Sequence, residues 1–331
     1  MSIPALRPMT VGDILDQSFS LYRKNFVTLA GIVAIIHVPL MALQIIGSLL
    51  FGVQPASPFG RFGPGSFPQT QTPAMLGGLG ILALTGIVAI IAQVFETSAL
   101  SVVVSERLLG NTITLRQAYG RALSRWRALL AMLLVTGGAT LVLFIALFVP
   151  FLVLAVATGL FVNNGSSSAA GGLLGALIVC VTCVAFPIVL IGIYSVSVRL
   201  LFAPQAIVLE KMGGLDGLRR SWRLVRGSFW RVLGITLMVG ILVAIIGQGP
   251  AYVIAIVANV LPFPAIGIVL NTATQAVLTI IVLPLQFAAI TLLYYDLRIR
   301  KEGFDLQLMA QQLTPTFGGL AADSSAEAAP A

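Results

Sequence analysis

The chain has 331 residues, of which 58% are apolar and only 9% are charged. Its mean hydropathy of +1.02 lies far above that of soluble globular domains, so composition excludes that class and indicates an integral membrane protein. A formal net charge of +8 would suggest nucleic acid as the partner of a soluble protein, but here the positive charge flanks apolar segments, so we expect anionic lipid and no nucleic acid.

A basic amphipathic helix is predicted at the start of the chain. Its leucine and aromatic residues follow the spacing i, i+4, i+7, i+11, which places them on one stripe of an α-helix: Leu15, Phe19, Tyr22 and Phe26. The pattern returns twice, at Leu115, Tyr119, Ala122 and Trp126, and at Leu218, Trp222, Val225 and Phe229. Thr10-x-x-Asp13 and Thr114-x-x-Gln117 resemble capping boxes at the start of the first two helices.

Two long apolar runs follow each amphipathic segment. The six runs cover 27–52, 75–104, 128–160, 171–198, 232–260 and 265–295. Each exceeds the roughly 20 residues that cross a bilayer and must be helical, because no water satisfies its backbone there. We therefore predict an all-α integral membrane protein with six transmembrane helices, organised as three repeated units of an interfacial helix plus a helical hairpin.

The repeat defines the predicted domains. The first and third amphipathic segments align without a gap, matching Asp13 with Asp216 and Ser18 with Ser221. The three units cover about 8–105, 110–210 and 213–300 and form one membrane domain over 1–312. A disordered tail is predicted at 313–331, which is rich in Ala and Ser.

The basic residues predict the orientation. Eighteen of the nineteen Lys and Arg residues lie in the N-terminal segment, around 105–127 and 199–231, or at 298–301. The positive-inside rule then places both termini and all three amphipathic helices in the cytoplasm.

An internal polar layer is predicted between the spans. Glu96, Arg199 and Gln286 each lie ten or eleven residues before an acid at the end of a second span, about 15 Å of helix rise. His37 is the only histidine and reaches a similar depth. Because a charged group in hydrocarbon costs at least about 2.5 to 3.5 kcal/mol, we expect the layer to face the bundle interior. The alternative leaves Glu96 at the interface and lets Arg199 reach the head groups from a bend near Pro204.

The densest basic cluster lies in the third amphipathic helix and its continuation. Arginines alternate there with tryptophans, a composition typical of an anchor to anionic lipid head groups. The predicted contacts are Arg219, Arg220, Arg223, Arg226, Trp222 and Trp230. A specific phosphate-bearing ligand is the alternative.

Motifs for catalysis are missing from the sequence. It contains no His-Glu-x-x-His, no phosphate-binding Gly-x-x-x-x-Gly-Lys-Ser/Thr and no Gly-x-Ser-x-Gly pattern. We therefore predict no catalytic residues, no metal site and no cofactor.

Four segments resemble a known family. They are RPMTVGDILD at 7–16, YRKNF at 22–26, GLRRSWRLVRGSFW at 217–230 and YYDLRIRKEGFD at 294–305. They are similar to prokaryotic stand-alone proteins named after the membrane domain of glycerophosphoryl diester phosphodiesterases. The resemblance implies the membrane fold and the plasma membrane of a prokaryote. It carries over no catalytic residue, since the family's reaction belongs to a separate soluble barrel.

Three functions remain open at this point. The first is a non-enzymatic scaffold or regulatory module that contacts anionic lipid through its basic helices, with a protein partner or a second copy of the chain. The second is a small transporter or channel for an anionic or lipid-derived solute, which uses the polar layer and proline-broken spans. The third is a membrane enzyme acting on glycerophosphodiesters, supported by the resemblance and by His37.

Overall fold

The computed structural model describes residues 8–51, 73–163, 180–181, 187–188, 190–260 and 263–303, and every regular element in these ranges is a helix. In chain order the helices are α1 (Val11–Phe51), α2 (Pro73–Leu108), α3 (Leu115–Leu123), α4 (Trp126–Asn163), α5 (190–200), α6 (Ala203–Leu209), α7 (Gly214–Val225), α8 (Phe229–Val260) and α9 (Pro264–Glu302). The predicted tail at 313–331 lies outside the described residues.

Six helical segments are long and apolar enough to cross a membrane, and each overlaps one of the predicted runs. They are Val11–Leu50, Ala83–Leu108, Trp126–Ala146, Leu190–Leu209, Phe229–Ala258 and Ala265–Glu302. The prediction of an all-helical chain with six candidate spans is confirmed for the described residues. The structure indicates a multi-pass membrane protein.

Each amphipathic segment ends at a break in the backbone. Inside α1, Asn25 has non-helical angles of φ −125° and ψ 20°. Residues 124–125 separate α3 from α4, and Gly227 lies between α7 and α8 at φ +83°, where glycine is favoured because it has no Cβ. An aromatic residue of the predicted stripe follows each of the three breaks: Phe26, Trp126 and Phe229.

Both predicted capping boxes are present. The Asp13 backbone N–H donates to Thr10 Oγ1 over 3.2 Å, and the Thr10 N–H donates to Asp13 Oδ2 over 2.9 Å. Thr114 and Gln117 make the same reciprocal pair at 3.4 and 3.1 Å. Four backbone donors that the start of a helix would leave unsatisfied thus have partners.

The chain divides into two compact units, residues 1–124 with 234–331, and residues 125–233. In the first unit, α1 packs against α2 and α9 through side chains such as Leu29, Ile32, Leu100 and Leu293, all of which are fully buried.

Asp296 ties the beginning of the chain to the end of α9 within the first unit. Its buried carboxylate accepts a hydrogen bond from the Met9 N–H at 2.8 Å and a bifurcated one from the single Nε–H of Arg300, which lies 2.9 and 3.0 Å from the two carboxylate oxygens. Arg300 also donates to the Met9 carbonyl at 2.7 Å. This closed set of hydrogen bonds holds Met9, two residues before α1, beside the last two turns of α9.

In the second unit α7 lies against α4 and α6, and two glycines allow the close approach. A Cβ at Gly214 would lie 2.5 Å from the Ala128 carbonyl oxygen, and one at Gly217 would lie 2.5 Å from Ile207 Cγ1. Ser221 on the same face donates to the Arg199 carbonyl at 2.8 Å and accepts from the Phe202 N–H at 3.1 Å.

Candidate functional site

A histidine and a glutamate contact each other inside the first unit. His37 Nε2 of α1 lies 3.4 Å from Glu96 Oε2 of α2. Glu96 is only 1% exposed, whereas His37 is 27% exposed. The second carboxylate oxygen, Oε1 of Glu96, is buried and has no hydrogen-bond partner among the described residues. Glu96 is therefore a buried acid whose one described partner reaches a more open space.

That open space is a groove between α1 and α9, which α2 touches at Ala89. Its volume is about 310 Å³, at the small end of the range for ligand sites. Seven of its eleven lining residues carry polar side chains, although the groove lies between apolar spans. The polar residues are His37, Gln44, Ser48, Asn271, Thr272, Gln275 and Thr279.

Helical periodicity explains how two helices provide so many polar groups. On α1, residues 37, 41, 44 and 48 line the groove, and on α9 residues 271, 275 and 279 line it. Both sets follow the spacing of one helix face. Gln275 Nε2 also donates to Asn271 Oδ1 at 3.3 Å along that face, while Thr272 Oγ1 is buried and has no partner within the described ranges.

The groove occupies the part of α1 that is remote from the amphipathic segment. His37 lies twelve residues beyond the break at Asn25, about 18 Å of helix rise, and Ser48 lies about 16 Å further on. On α9 the groove is near the helix start, because Asn271 is seven residues from Pro264. On α1, His37 therefore forms the end of the groove that is nearer the amphipathic segment.

A tyrosine from α3 contacts α1 about one and a half turns before His37. Tyr119 OH donates to the Ile32 carbonyl of α1 over 2.7 Å. Burial raises the pKa of Tyr119, and the negative charge of Glu96 raises it further. Helix α3 thus places a neutral phenol where the charge of Glu96 affects its pKa.

The predicted polar layer is brought together in part. His37 and Glu96 form one pair, and Gln286 of α9 lines a second cavity of about 190 Å³ with Gln248 of α8. Gln275 and Thr279 line this cavity as well as the groove, so the two cavities share a wall. Arg199 belongs to the second unit, where its guanidinium lies over the rings of Trp222 and Phe229, and its membership of the layer stays a prediction.

Most of the groove was not predicted from the sequence. Gln44, Ser48, Asn271 and Thr272 are uncharged, and no single one of them stands out in an apolar run. A signal was nevertheless present in the helical spacing of polar residues on the first and last spans. In the part of the chain that the structure describes, no three His, Cys, Asp or Glu side chains are grouped to hold a metal ion.

The predicted head-group arginines fall into two sets. Arg220 Nε and Nη2 donate to the two carboxylate oxygens of Glu210 at 2.9 and 3.1 Å, so this arginine links α7 to the end of α6 and is largely buried. By contrast Arg219 and Arg223 line an open groove with Trp222. Arg226 and Trp230 are exposed.

No curated protein and no solved structure matches the chain. One family model does match, over residues 83–297, which is more than half of the chain. The chain therefore belongs to the family described as Domain of unknown function (DUF7847).

Proposed function

We propose that the protein binds a small uncharged solute inside the membrane and lets it pass, as a transporter or channel. One observation carries the proposal, namely a groove with seven polar side chains between two helices that are otherwise apolar enough to span a bilayer.

Polar groups without hydrogen-bond partners are unfavourable in hydrocarbon, which supports a groove that holds water or a polar solute. Gln44 and Gln275 are exposed at its rim, and the buried Thr272 hydroxyl has no partner in the described part of the chain. An amide or hydroxyl without a hydrogen-bond partner in an apolar medium costs several kcal/mol, on the order of 4 to 8 in a solvent that offers none. Water or a polar solute supplies these partners.

The charge of the lining favours an uncharged solute. Among the described residues that line the groove, only His37 can carry a charge, and it already faces Glu96. Amides and hydroxyls both donate and accept hydrogen bonds, which suits a polyol or an amide. We therefore favour an uncharged solute over the anionic one that the sequence suggested.

Prolines next to the groove support a helix that can change shape. Pro39 lies inside α1, two residues after His37, and Pro284 lies inside α9. Proline removes one helical hydrogen bond and leaves a carbonyl free. The carbonyl that Pro284 leaves free is that of Ile280, and Tyr22 OH donates to the adjacent Ile281 carbonyl over 2.9 Å.

Stopped-flow light scattering on proteoliposomes tests the proposal with a graded series of polyols. Vesicles are mixed with glycerol, erythritol, xylitol or sorbitol, and the rate of solute entry is compared with that of empty vesicles. We expect faster entry for at least the smaller polyols, and a several-fold loss of that increment in Thr272→Val and Gln275→Leu, because each removes a hydrogen-bonding group from the wall.

Thr140→Val is the matched control. Its hydroxyl donates within α4 to the Thr136 carbonyl and lines neither the groove nor the second cavity. No acceleration for any polyol, or an equal loss in Thr140→Val, contradicts the proposal.

The three-unit organisation is a further part of the proposal. It is supported by the backbone breaks at Asn25, 124–125 and Gly227, which occur at matching positions of the three amphipathic segments. The role of scaffold or regulatory partner stays a prediction.

A further inference from the structure

Several cationic groups gather around one tryptophan of the second unit. Arg219, Trp222 and Arg223 of α7 line an open groove of about 850 Å³. Leu200, Met212, Asp216 and Leu218 complete it. This groove shares no residue with the polar groove of the first unit.

Arg199, at the end of α5, does not line the groove itself but packs against its tryptophan. Its guanidinium lies 4.6 Å from the centre of the Trp222 ring and 5.3 Å from that of Phe229. Within the described ranges, this guanidinium makes no ion pair and no hydrogen bond. Aromatic rings cover it while its N–H donors remain available, and a guanidinium presents five such donors.

The two arginines of α7 that line the groove together make at most one weak ion pair in the described part of the chain. Arg219 lies 3.8 Å from Asp216, and both side chains are largely exposed, so this pair adds little stability. Arg223 is exposed. The neighbouring Arg220 is by contrast held by two hydrogen bonds to Glu210. The chain thus uses one arginine to hold the fold and leaves its neighbours on the surface.

The apolar residues around these cations indicate a membrane surface. Trp222 and Leu215 are partly exposed on α7, and Trp230 is 80% exposed at the start of α8, a helix apolar enough to cross a bilayer. Buried residues of α7, including Leu224 and Val225, form its opposite face. A short amphipathic helix with arginine and tryptophan on its outer face lies at the level of the head groups.

We propose that this groove binds the head group of an anionic phospholipid, with Arg219 and Arg223 contacting the phosphate, Trp222 packing against the glycerol and upper acyl chain, and Arg199 adding positive charge beside Trp222. Guanidinium groups bind phosphate with two parallel hydrogen bonds, and they do so more strongly where aromatic rings exclude water. Asp216 opposes the anion and limits the affinity. This site is independent of the solute groove in the first unit.

The chain's three tryptophans permit a direct measurement. Replacing Trp126 and Trp230 by Phe leaves Trp222 as the single tryptophan reporter. The purified protein in neutral detergent is titrated with short-chain phosphatidylglycerol, phosphatidylcholine, glycerol 3-phosphate or inorganic phosphate. We expect a saturable change in Trp222 emission with phosphatidylglycerol that weakens as salt is added, and little change with phosphatidylcholine.

Arginine variants then assign the contacts. Arg219→Gln and Arg223→Gln should each weaken phosphatidylglycerol binding roughly tenfold, as expected for the loss of a charged hydrogen bond. Asp216→Asn should strengthen binding. The double variant Arg23→Gln with Lys24→Gln, in the amphipathic part of α1, removes two charges and should leave the affinity unchanged.

Each alternative has its own result. Equal responses to the two phospholipids, or an equal loss in the Arg23 and Lys24 control, overturn the proposal. Equal saturation with glycerol 3-phosphate or inorganic phosphate also overturns it, because the ligand is then a soluble phosphate.

Discussion

At the scale of single residues, the pair of His37 and Glu96 is the clearest departure from an apolar bundle. Burying a carboxylate costs several kcal/mol unless partners compensate it, and Glu96 keeps one oxygen without a described partner. A sequence that needed only stability would place a leucine there. The pair is therefore a candidate for a functional role.

The cost of the buried acid predicts a specific pattern of stability. His37→Leu removes the described partner of Glu96 and should lower the free energy of unfolding by about 2 to 3 kcal/mol, while the double variant His37→Leu with Glu96→Leu should regain most of the loss, because no buried acid remains. Thermal unfolding in detergent measures both.

Thr85→Val in α2 serves as the control for a buried polar group, because its hydroxyl donates to the Ile81 carbonyl of its own helix. If the His37→Leu variant were as stable as the unmodified protein, the contact between His37 and Glu96 would contribute nothing to stability and the prediction would be wrong.

The sequence identified both members of this pair but not their surroundings. An ionisable residue inside an apolar run is conspicuous, because its cost in hydrocarbon is known in advance. The partners of the groove are uncharged, and Gln44 and Gln275 are separated by more than two hundred residues. Their meeting depends on the pairing of α1 with α9, which no local pattern specifies.

At the scale of elements, the amphipathic segments follow their local sequence closely. Capping boxes start α1 and α3 where Thr10 and Thr114 predicted them. The first segment nevertheless continues into its span as one long helix with a single non-helical residue, Asn25, whereas α3 and α7 are separate helices. The same stripe of residues thus allows a kink or a full break, and Gly227 favours the break before α8.

Substitution by alanine should have opposite effects on stability at Gly214, which is closely packed in α7, and at Gly120, which is surrounded by open space in α3. Gly214→Ala should destabilise the second unit by roughly 1 to 3 kcal/mol, because the new methyl group would meet the backbone of Ala128, which cannot rotate away. Gly120→Ala lies in the exposed interior of α3 with open space around it, and should stabilise the protein by about 0.5 to 1 kcal/mol. Thermal unfolding of the two variants gives the comparison, and a similar loss in both would refute a special role for the contact at Gly214.

At the scale of the whole molecule, the six apolar helices and the clustered basic residues together predict the transmembrane topology. If both termini are cytoplasmic, Thr112 before α3 and Phe263 before α9 lie on opposite sides of the membrane. The plasma membrane of a prokaryote stays the predicted location, on the basis of the resemblance to stand-alone membrane-domain proteins.

Cysteine labelling tests this topology. With Cys180 and Cys183 replaced by Ser, Phe263→Cys should react with an impermeant maleimide on intact cells, and Thr112→Cys should react only in inside-out vesicles. Lys301→Cys at the end of α9 provides a second inner position. Labelling of residues 112 and 263 from the same side of the membrane would contradict the predicted topology.

Composition and periodicity by themselves determined the class of protein and the positions of the spans, because hydrocarbon forces each span to satisfy its own backbone within one helix. The starts of two amphipathic helices followed from their capping boxes. Only the tertiary structure decided which polar side chains meet. It pairs His37 with Glu96, lines a groove from the first and last spans, holds Arg220 against Glu210 and lays Arg199 over Trp222. These contacts join residues from different helices, and they depend on how helices pack, which the local pattern of a single span does not encode.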